Sequence, residues 1–198
     1  MIGPVLSWIA VALLLIASIG LLLSRDWRWN LGLLAGQYLA MFLLLTHYWP
    51  LGLAAVKLVT GWMAATTLGV TRLGLAGESD ASENAWPQGR LFRLFASFIV
   101  IVLAFSVVPS FERMIPGISR PVVLGGMILF GMGLLHLGIT AALLRVSIGL
   151  LTLLAGFEIL YSTVETSILL TGLLALVNLG LALAGSYMLN AAQKENSQ

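Results

Sequence analysis

The chain carries little charge and no cysteine, and each of these absences excludes classes of protein. Only 9% of its 198 residues are charged, whereas a soluble domain carries about 25% in order to form a surface that faces water. A chain of this composition is therefore expected to fold in a lipid bilayer. The absence of cysteine excludes a disulfide framework, a cysteine nucleophile and a thiolate-bound iron–sulfur cluster within this chain.

Histidines and recognisable binding motifs are scarce as well. The two histidines, His47 and His136, are predicted to lie at different depths, which does not suit a haem held between them. The sequence has no glycine-rich phosphate loop and no dinucleotide-binding motif. Its formal net charge of +2 is too small to indicate nucleic acid. We therefore expect no cofactor, no metal site, no nucleic-acid partner and no catalytic activity of the chain on its own.

Hydrophobic sequence is what the chain has in abundance. Hydrophobic residues make up 60% of it, in runs that are apolar on every side and lack the alternation of a membrane barrel. Since about 20 helical residues cross the core of a bilayer, we predict an all-α, polytopic membrane bundle of about seven helices. The predicted spans are 4–23, 30–46, 51–71, 92–108, 121–144, 146–164 and 167–190. Because the 92–108 span is short, six spans with a re-entrant segment are the alternative.

Two stretches are polar, and the charges near the spans indicate their orientation. Residues 74–90 are acidic and rich in small residues, which predicts a flexible loop, and the short tail after Asn190 is predicted to be disordered. With the N-terminus outside, seven arginines and lysines fall on the cytoplasmic side and two fall outside. This asymmetry predicts a plasma (inner) membrane protein with a cytoplasmic C-terminus and a cytoplasmic 74–90 loop.

A short motif occurs twice and suggests an internal repeat. Residues 33–36 and 153–156 both read Leu-Leu-Ala-Gly, an offset of 120 residues. Each copy lies in a span that follows a basic turn and precedes a polar turn and another long span. We therefore predict a first three-helix repeat at 1–73, a polar loop and linking helix at 74–120, and a second three-helix repeat with a short tail at 121–198.

Two ionisable side chains, Lys57 and Glu158, are predicted to lie inside the membrane. A charge at the centre of a membrane helix costs about 2.5–3.5 kcal/mol, so such groups face the interior of the bundle. Both residues are expected about 9–10 Å below the outer boundary of their spans, where two opposite charges can form a pair. The alternatives are that Lys57 extends its ammonium towards the interface and that Glu158 is a structural, hydrogen-bonded carboxyl group.

Other polar residues within the spans have a structural interpretation beside the functional one. His136 is either a hydrogen-bonded core histidine or a proton relay. Gln37, Tyr38, Thr152 and Asn178 are expected to form hydrogen bonds between helices. Five glycines between positions 125 and 138 leave a smooth helix face that suits close helix packing.

The second half of the chain resembles a known family. Residues 137–160 resemble the first two helices of the small K-type membrane subunit of respiratory complex I, where a helix end and a basic turn precede a helix with a Gly-x-Glu-Ile motif. Residues 156–159 match this motif, so Glu158 takes the position of the family's first intramembrane glutamate. The position of the second glutamate is occupied by Leu176, with Asn178 close by. In the first half, Lys57 replaces the glutamate of the third helix, and Gln37 or Tyr38 replaces the other carboxylate.

Two K-like units in one chain are similar in layout to the E-type membrane subunit of energy-converting, formate-hydrogenlyase-like hydrogenases. This resemblance implies a non-redox accessory subunit that contacts other membrane subunits and contributes Glu158, together with Lys57, to a proton path. His136 is a further candidate for this path because of its position in an apolar helix, and not because of the resemblance. The alternatives are a free-standing small transporter or channel and a membrane scaffold or assembly protein.

Overall fold

The computed structural model describes residues 4–75, 89–115 and 117–196. These residues form seven α-helices and no strand. The helices are α1 (Pro4–Leu23), α2 (Trp27–Leu45), α3 (Leu51–Gly74), α4 (Arg90–Met114), α5 (Arg120–Ile139), α6 (Leu143–Tyr161) and α7 (Ile168–Asn196). The predicted all-α fold is therefore confirmed.

The helices are those of a multi-pass membrane protein. Six of the seven are long and apolar enough to cross a membrane, and α2 is the exception. Its 19 residues include Arg28, Asn30 and Gln37, which lower its mean hydropathy. Large hydrophobic side chains are exposed along the outer faces of α1, α4 and α7, as expected where lipid takes the place of water.

Contacts between connections show that each helix runs from one end of the bundle to the other. At one end, here called the Trp49 end, Trp49 before α3 donates a 3.1 Å hydrogen bond from Nε1 to the backbone oxygen of Glu165 before α7. At the same end, the backbone N–H of Ser119 donates to the hydroxyl of Tyr48. Three connections, α2–α3, α4–α5 and α6–α7, therefore meet at this end.

The opposite end, here called the Arg145 end, is held together by two arginines. Arg145 in α6 donates a 2.8 Å hydrogen bond from Nη2 to the backbone oxygen of Ser24, just after α1. Arg93 in α4 donates a 3.0 Å hydrogen bond from Nη1 to the backbone oxygen of Leu22. Both side chains are buried, and their positive charge lies beside the carbonyl groups that end α1, where the helix dipole favours a cation.

The helices pack in two rows with the linking helix at one edge. The order α1, α2, α3 forms one row, and α5, α6, α7 forms the other. Contacts between the rows join α1 to α5, α2 to α6 and α3 to α7, whereas α4 packs on α5 and α1. Helices at the same place in the two predicted units are thus neighbours across the bundle.

Glycines allow α5 and α6 to approach closely, as the sequence predicts. A side chain at Gly133 would meet the backbone of Leu153, and a side chain at Gly156 would meet the backbone nitrogen of Phe130. Only residues without a Cβ permit this separation of the two helix axes. The pair α5–α6 is therefore a rigid core element of the second row.

The structure corrects several predicted boundaries. Helix α4 has 25 residues and continues through Pro109 to Met114, so the predicted span of 92–108 is too short, and α4 is long and apolar enough to cross a membrane. Helix α7 continues to Asn196, so residues 191–196 are helical and are not a disordered tail.

The connection between α5 and α6 also differs from the prediction. It lies at residues 140–142, so Arg145 belongs to the first turn of α6 and not to the turn before it. Most of the 74–90 loop lies outside the described residues.

Candidate functional site

The centre of the site is an ion pair between α3 and α6. The Nζ atom of Lys57 lies 2.6 Å from Oε1 of Glu158, and the two side chains are 1% and 0% exposed. The prediction that these residues face each other at one depth is therefore confirmed. The alternative that Lys57 extends to the interface is wrong, because its ammonium turns inward to the carboxylate.

Two further polar residues join this pair. Asn178 in α7 donates a 3.1 Å hydrogen bond from Nδ2 to Oε1 of Glu158. Its Oδ1 atom accepts a 3.0 Å hydrogen bond from the hydroxyl of Tyr38 in α2. The four side chains, from α2, α3, α6 and α7, form one continuous chain, here called the Lys57–Glu158 network. Tyr38 and Asn178 were predicted to bond between helices, and they do so within the site itself.

A glycine makes room for the tyrosine. The ring of Tyr38 lies against the backbone of Gly61 in α3, where any Cβ would overlap with the ring. Tyr38 is fully buried, and a buried phenol needs a partner for its hydroxyl. Gly61 therefore fixes the ring at a place from which the hydroxyl reaches Asn178.

The two oxygen atoms of the Glu158 carboxylate differ in their hydrogen bonding. Its Oε1 atom accepts hydrogen bonds from both Lys57 and Asn178. Within the described parts of the chain, its Oε2 atom has no hydrogen-bond partner although it is fully buried. An ionised carboxylate accepts several hydrogen bonds, so Oε2 is the position at which Glu158 can take up a proton or bind water.

A second polar contact lies nearer the middle of the bundle. The hydroxyl of Thr152 in α6 donates to Oε1 of Gln37 in α2 over 3.5 Å, which is a long hydrogen bond. Both residues are buried, and Nε2 of Gln37 has no partner among the described residues. These residues were predicted to connect helices, and the structure places their contact one layer towards the Arg145 end from the ion pair.

His136 lies apart from the ion pair. It is buried in the last turn of α5, near the Arg145 end, and its Nε2 atom has no hydrogen-bond partner in the part of the chain that the structure describes. Its Cβ packs beside Gly149 of α6, and Arg145 and Arg93 are the charged groups close enough to act on it. The structure therefore separates this candidate from Lys57 and Glu158.

Sequence reasoning missed the roles of three residues. Arg93 and Arg145 were counted only among the basic residues of the cytoplasmic side, yet both are buried and bind the carbonyl end of α1. Trp49 is buried and connects two loops, and no pattern in the sequence pointed to this contact. Hydropathy could not show these contacts, because it indicates where a span ends but not which other helix or loop lies next to that end.

Among the described residues, no group of three His, Cys, Asp or Glu side chains could hold a metal ion. No protein-family model, curated protein or solved structure matches this chain.

Proposed function

We propose that this chain is a non-redox accessory membrane subunit of an assembly like complex I or an energy-converting hydrogenase, and that it contributes the Lys57–Glu158 network to a proton path. The observation that carries the proposal is the fully buried Lys57–Glu158 pair, whose second carboxylate oxygen has no partner within the described residues. The resemblance of residues 137–160 to the K-type subunit supports the choice of assembly.

The chemistry of the network suits proton handling. Lysine, glutamate and tyrosine each bind and release a proton, and here they are connected through Asn178 in four helices. Burying a charge in a bilayer is costly, and a purely apolar contact would hold the helices together without that cost. The presence of two buried charges is therefore better explained by a function of the ion pair than by a contribution to stability.

The same proposal includes an arrangement in the membrane. All seven helices cross it, with the N-terminus outside and the C-terminus in the cytoplasm of a plasma (inner) membrane. In this orientation the basic residues at the Arg145 end face the cytoplasm, in line with the preference of cytoplasmic loops for lysine and arginine. The polar side chains of α2 are compatible with a membrane-spanning helix, because Gln37 and Tyr38 face α3, α6 and α7 and not lipid.

The test uses the chain in its native membrane. A tagged chain is purified in mild detergent, and the proteins that accompany it are identified. The proposal predicts membrane subunits of a redox-linked complex. The purified assembly is then reconstituted in vesicles, and proton translocation per electron transferred is compared between the native chain and Glu158→Gln, which keeps the shape but cannot ionise.

A matched control is available in the same chain. Glu165 is an exposed glutamate in the connection between α6 and α7, so Glu165→Gln removes the same charge outside the network. We expect Glu158→Gln to assemble with its partners at a lower yield, since Lys57 has lost its counter-ion, and each assembled complex to translocate fewer protons, whereas Glu165→Gln translocates as the native chain does. Normal translocation in an assembled Glu158→Gln complex would contradict the proposal.

A further inference from the structure

At successive depths along α6 lie three polar atoms that have no hydrogen-bond partner among the described residues. From the Arg145 end they are Nε2 of His136 beside Gly149, Nε2 of Gln37 beside Thr152, and Oε2 of Glu158 itself. Each belongs to a buried side chain. Buried polar groups of this kind are commonly bridged by water molecules.

The three levels follow one another along α6, with a gap between Thr152 and Glu158 that water has to bridge. Gly149 and Thr152 are three residues apart and therefore neighbours on one helix face. Thr152 and Glu158 are separated by about 9 Å along the axis, since an α-helix rises about 1.5 Å per residue. Helical side chains lean towards the N-terminus of their helix, so Glu158 leans back towards Thr152. His136, on the oppositely directed α5, leans towards Thr152 from the other side.

We propose that Thr152, held by Gln37, is the relay between His136 and Glu158, so that protons reach the ion pair from the Arg145 end. This inference rests on the proposed function, because it gives a direction to the same proton path. A hydroxyl can accept a proton on one lone pair while it releases its own. Gln37 is a positioning residue, because its Oε1 orients the Thr152 hydroxyl.

The transfer conserves protons at each step. A proton from water at the Arg145 end binds Nε2 of His136. The protonated His136 gives its proton to a bridging water, which passes a proton to Oγ1 of Thr152. As it accepts this proton, the hydroxyl turns from Oε1 of Gln37 and releases its own proton through a second water to Oε2 of Glu158. The carboxylate becomes neutral, Thr152 is again a hydroxyl, and His136 returns to its neutral form.

The test follows protonation of Glu158 directly. The full chain is placed in lipid nanodiscs, where both ends meet solvent, and a rapid drop in pH is applied. Infrared absorption of the protonated carboxyl group, identified by its loss in Glu158→Gln, gives the rate of proton arrival. In Thr152→Val we expect this rate to fall by about tenfold, which corresponds to about 1.4 kcal/mol in the barrier. Thr152→Ser, which keeps the hydroxyl, should restore the native rate.

A second threonine provides a matched control for the direction of entry. Thr171 in the first turn of α7 is buried at the Trp49 end, so Thr171→Val makes the same change on the other side of the ion pair. We expect the native rate in Thr171→Val and slower arrival in both Gln37→Leu and His136→Leu. A native rate in Thr152→Val, or a slow rate in Thr171→Val instead, would overturn the relay. If the native chain shows no absorption that depends on Glu158, the proposed function itself is wrong.

Discussion

The ring of Tyr38 in α2 lies in the space that a side chain at Gly61 in α3 would fill, so the ring packs directly on the α3 backbone at the level of the Lys57–Glu158 network. This contact sets the position of the Tyr38 hydroxyl and, through it, the orientation of Asn178 and Glu158. A residue without any polar side chain thereby controls the geometry of the polar site.

The first prediction concerns this contact. Gly61→Ala forces the Tyr38 ring to move, and overpacking of this kind costs about 1–3 kcal/mol of stability. Thermal unfolding in detergent should therefore show a lower Tm. The control is Gly52→Ala in the first turn of the same helix, where a Cβ meets nothing within 4 Å. A Tm in Gly61→Ala equal to that of Gly52→Ala would show that the ring is not held as described.

The second prediction compares the loss of one charge of the Lys57–Glu158 pair with the loss of both. Glu158→Gln leaves the Lys57 ammonium beside a neutral acceptor, and we expect a loss of about 3 kcal/mol, the lower end of the cost of breaking a buried pair. Adding Lys57→Met removes the stranded charge and should recover most of this loss. The measurement is the free energy of unfolding of the two single variants and the double variant.

An exposed ion pair serves as the control for that cycle. Glu112 accepts two hydrogen bonds of 2.8 Å from Arg120, but this pair lies at the surface. Glu112→Gln should therefore change stability far less than Glu158→Gln does. If the double variant is no more stable than either single variant, the two buried charges do not compensate each other.

The third prediction addresses the packing of α5 on α6. Gly156→Ala places a Cβ against the backbone of Phe130, and a backbone cannot move aside as a flexible side chain can. We expect lower yield and a Tm below that of Gly172→Ala, whose Cβ would meet nothing within 4 Å in α7. Equal stability of the two variants would contradict the close approach of these helices.

The fourth prediction tests orientation in the membrane. The chain has no cysteine, so Thr166→Cys and Ala141→Cys each introduce a single thiol, at exposed positions of the Trp49 end and the Arg145 end respectively. In intact cells, a membrane-impermeant reagent should label Thr166→Cys, and Ala141→Cys should react only after the membrane is opened. The reverse pattern would place the N-terminus in the cytoplasm.

The fifth prediction concerns the proposed duplication. The offset of 120 residues that relates the two Leu-Leu-Ala-Gly motifs also takes Tyr38 to Glu158 and Lys57 to the neighbour of Asn178. We expect α1–α3 and α5–α7 to overlay, helix for helix, by a rotation about an axis near the membrane normal. An experimental structure in which the two units cannot be overlaid in the same order would rule out the repeat.

The number of helices and the positions of the charged residues within them could be predicted from the sequence, because the thickness of the bilayer core sets the length of each apolar run. The predicted depths of Lys57 and Glu158 within their spans were enough to place the two residues at the same level. Their connection to Tyr38 and Asn178 could not be predicted, because it depends on how each helix is rotated about its axis and on which helices are neighbours.

Boundaries were least predictable where the connecting residues are themselves apolar or weakly polar. Residues 140–142 read Thr-Ala-Ala, so hydropathy gives no sign of the break between α5 and α6. Arg145 was therefore assigned to the turn, although the structure places it in the helix. In the same way, the fourth span was predicted to end at residue 108, yet helix α4 continues past Pro109 to Met114, since membrane helices tolerate proline.

The separation of Lys57 from Glu158 along the chain has a consequence for biosynthesis. The two residues are 101 positions apart, so at about 5–20 residues per second the ribosome makes the lysine about 5–20 s before the glutamate. During this interval helix α3 has left the ribosome without its counter-ion. We therefore expect the final insertion of α3 to wait for α6, or to depend on an insertase that shelters the ammonium until the second half of the chain arrives.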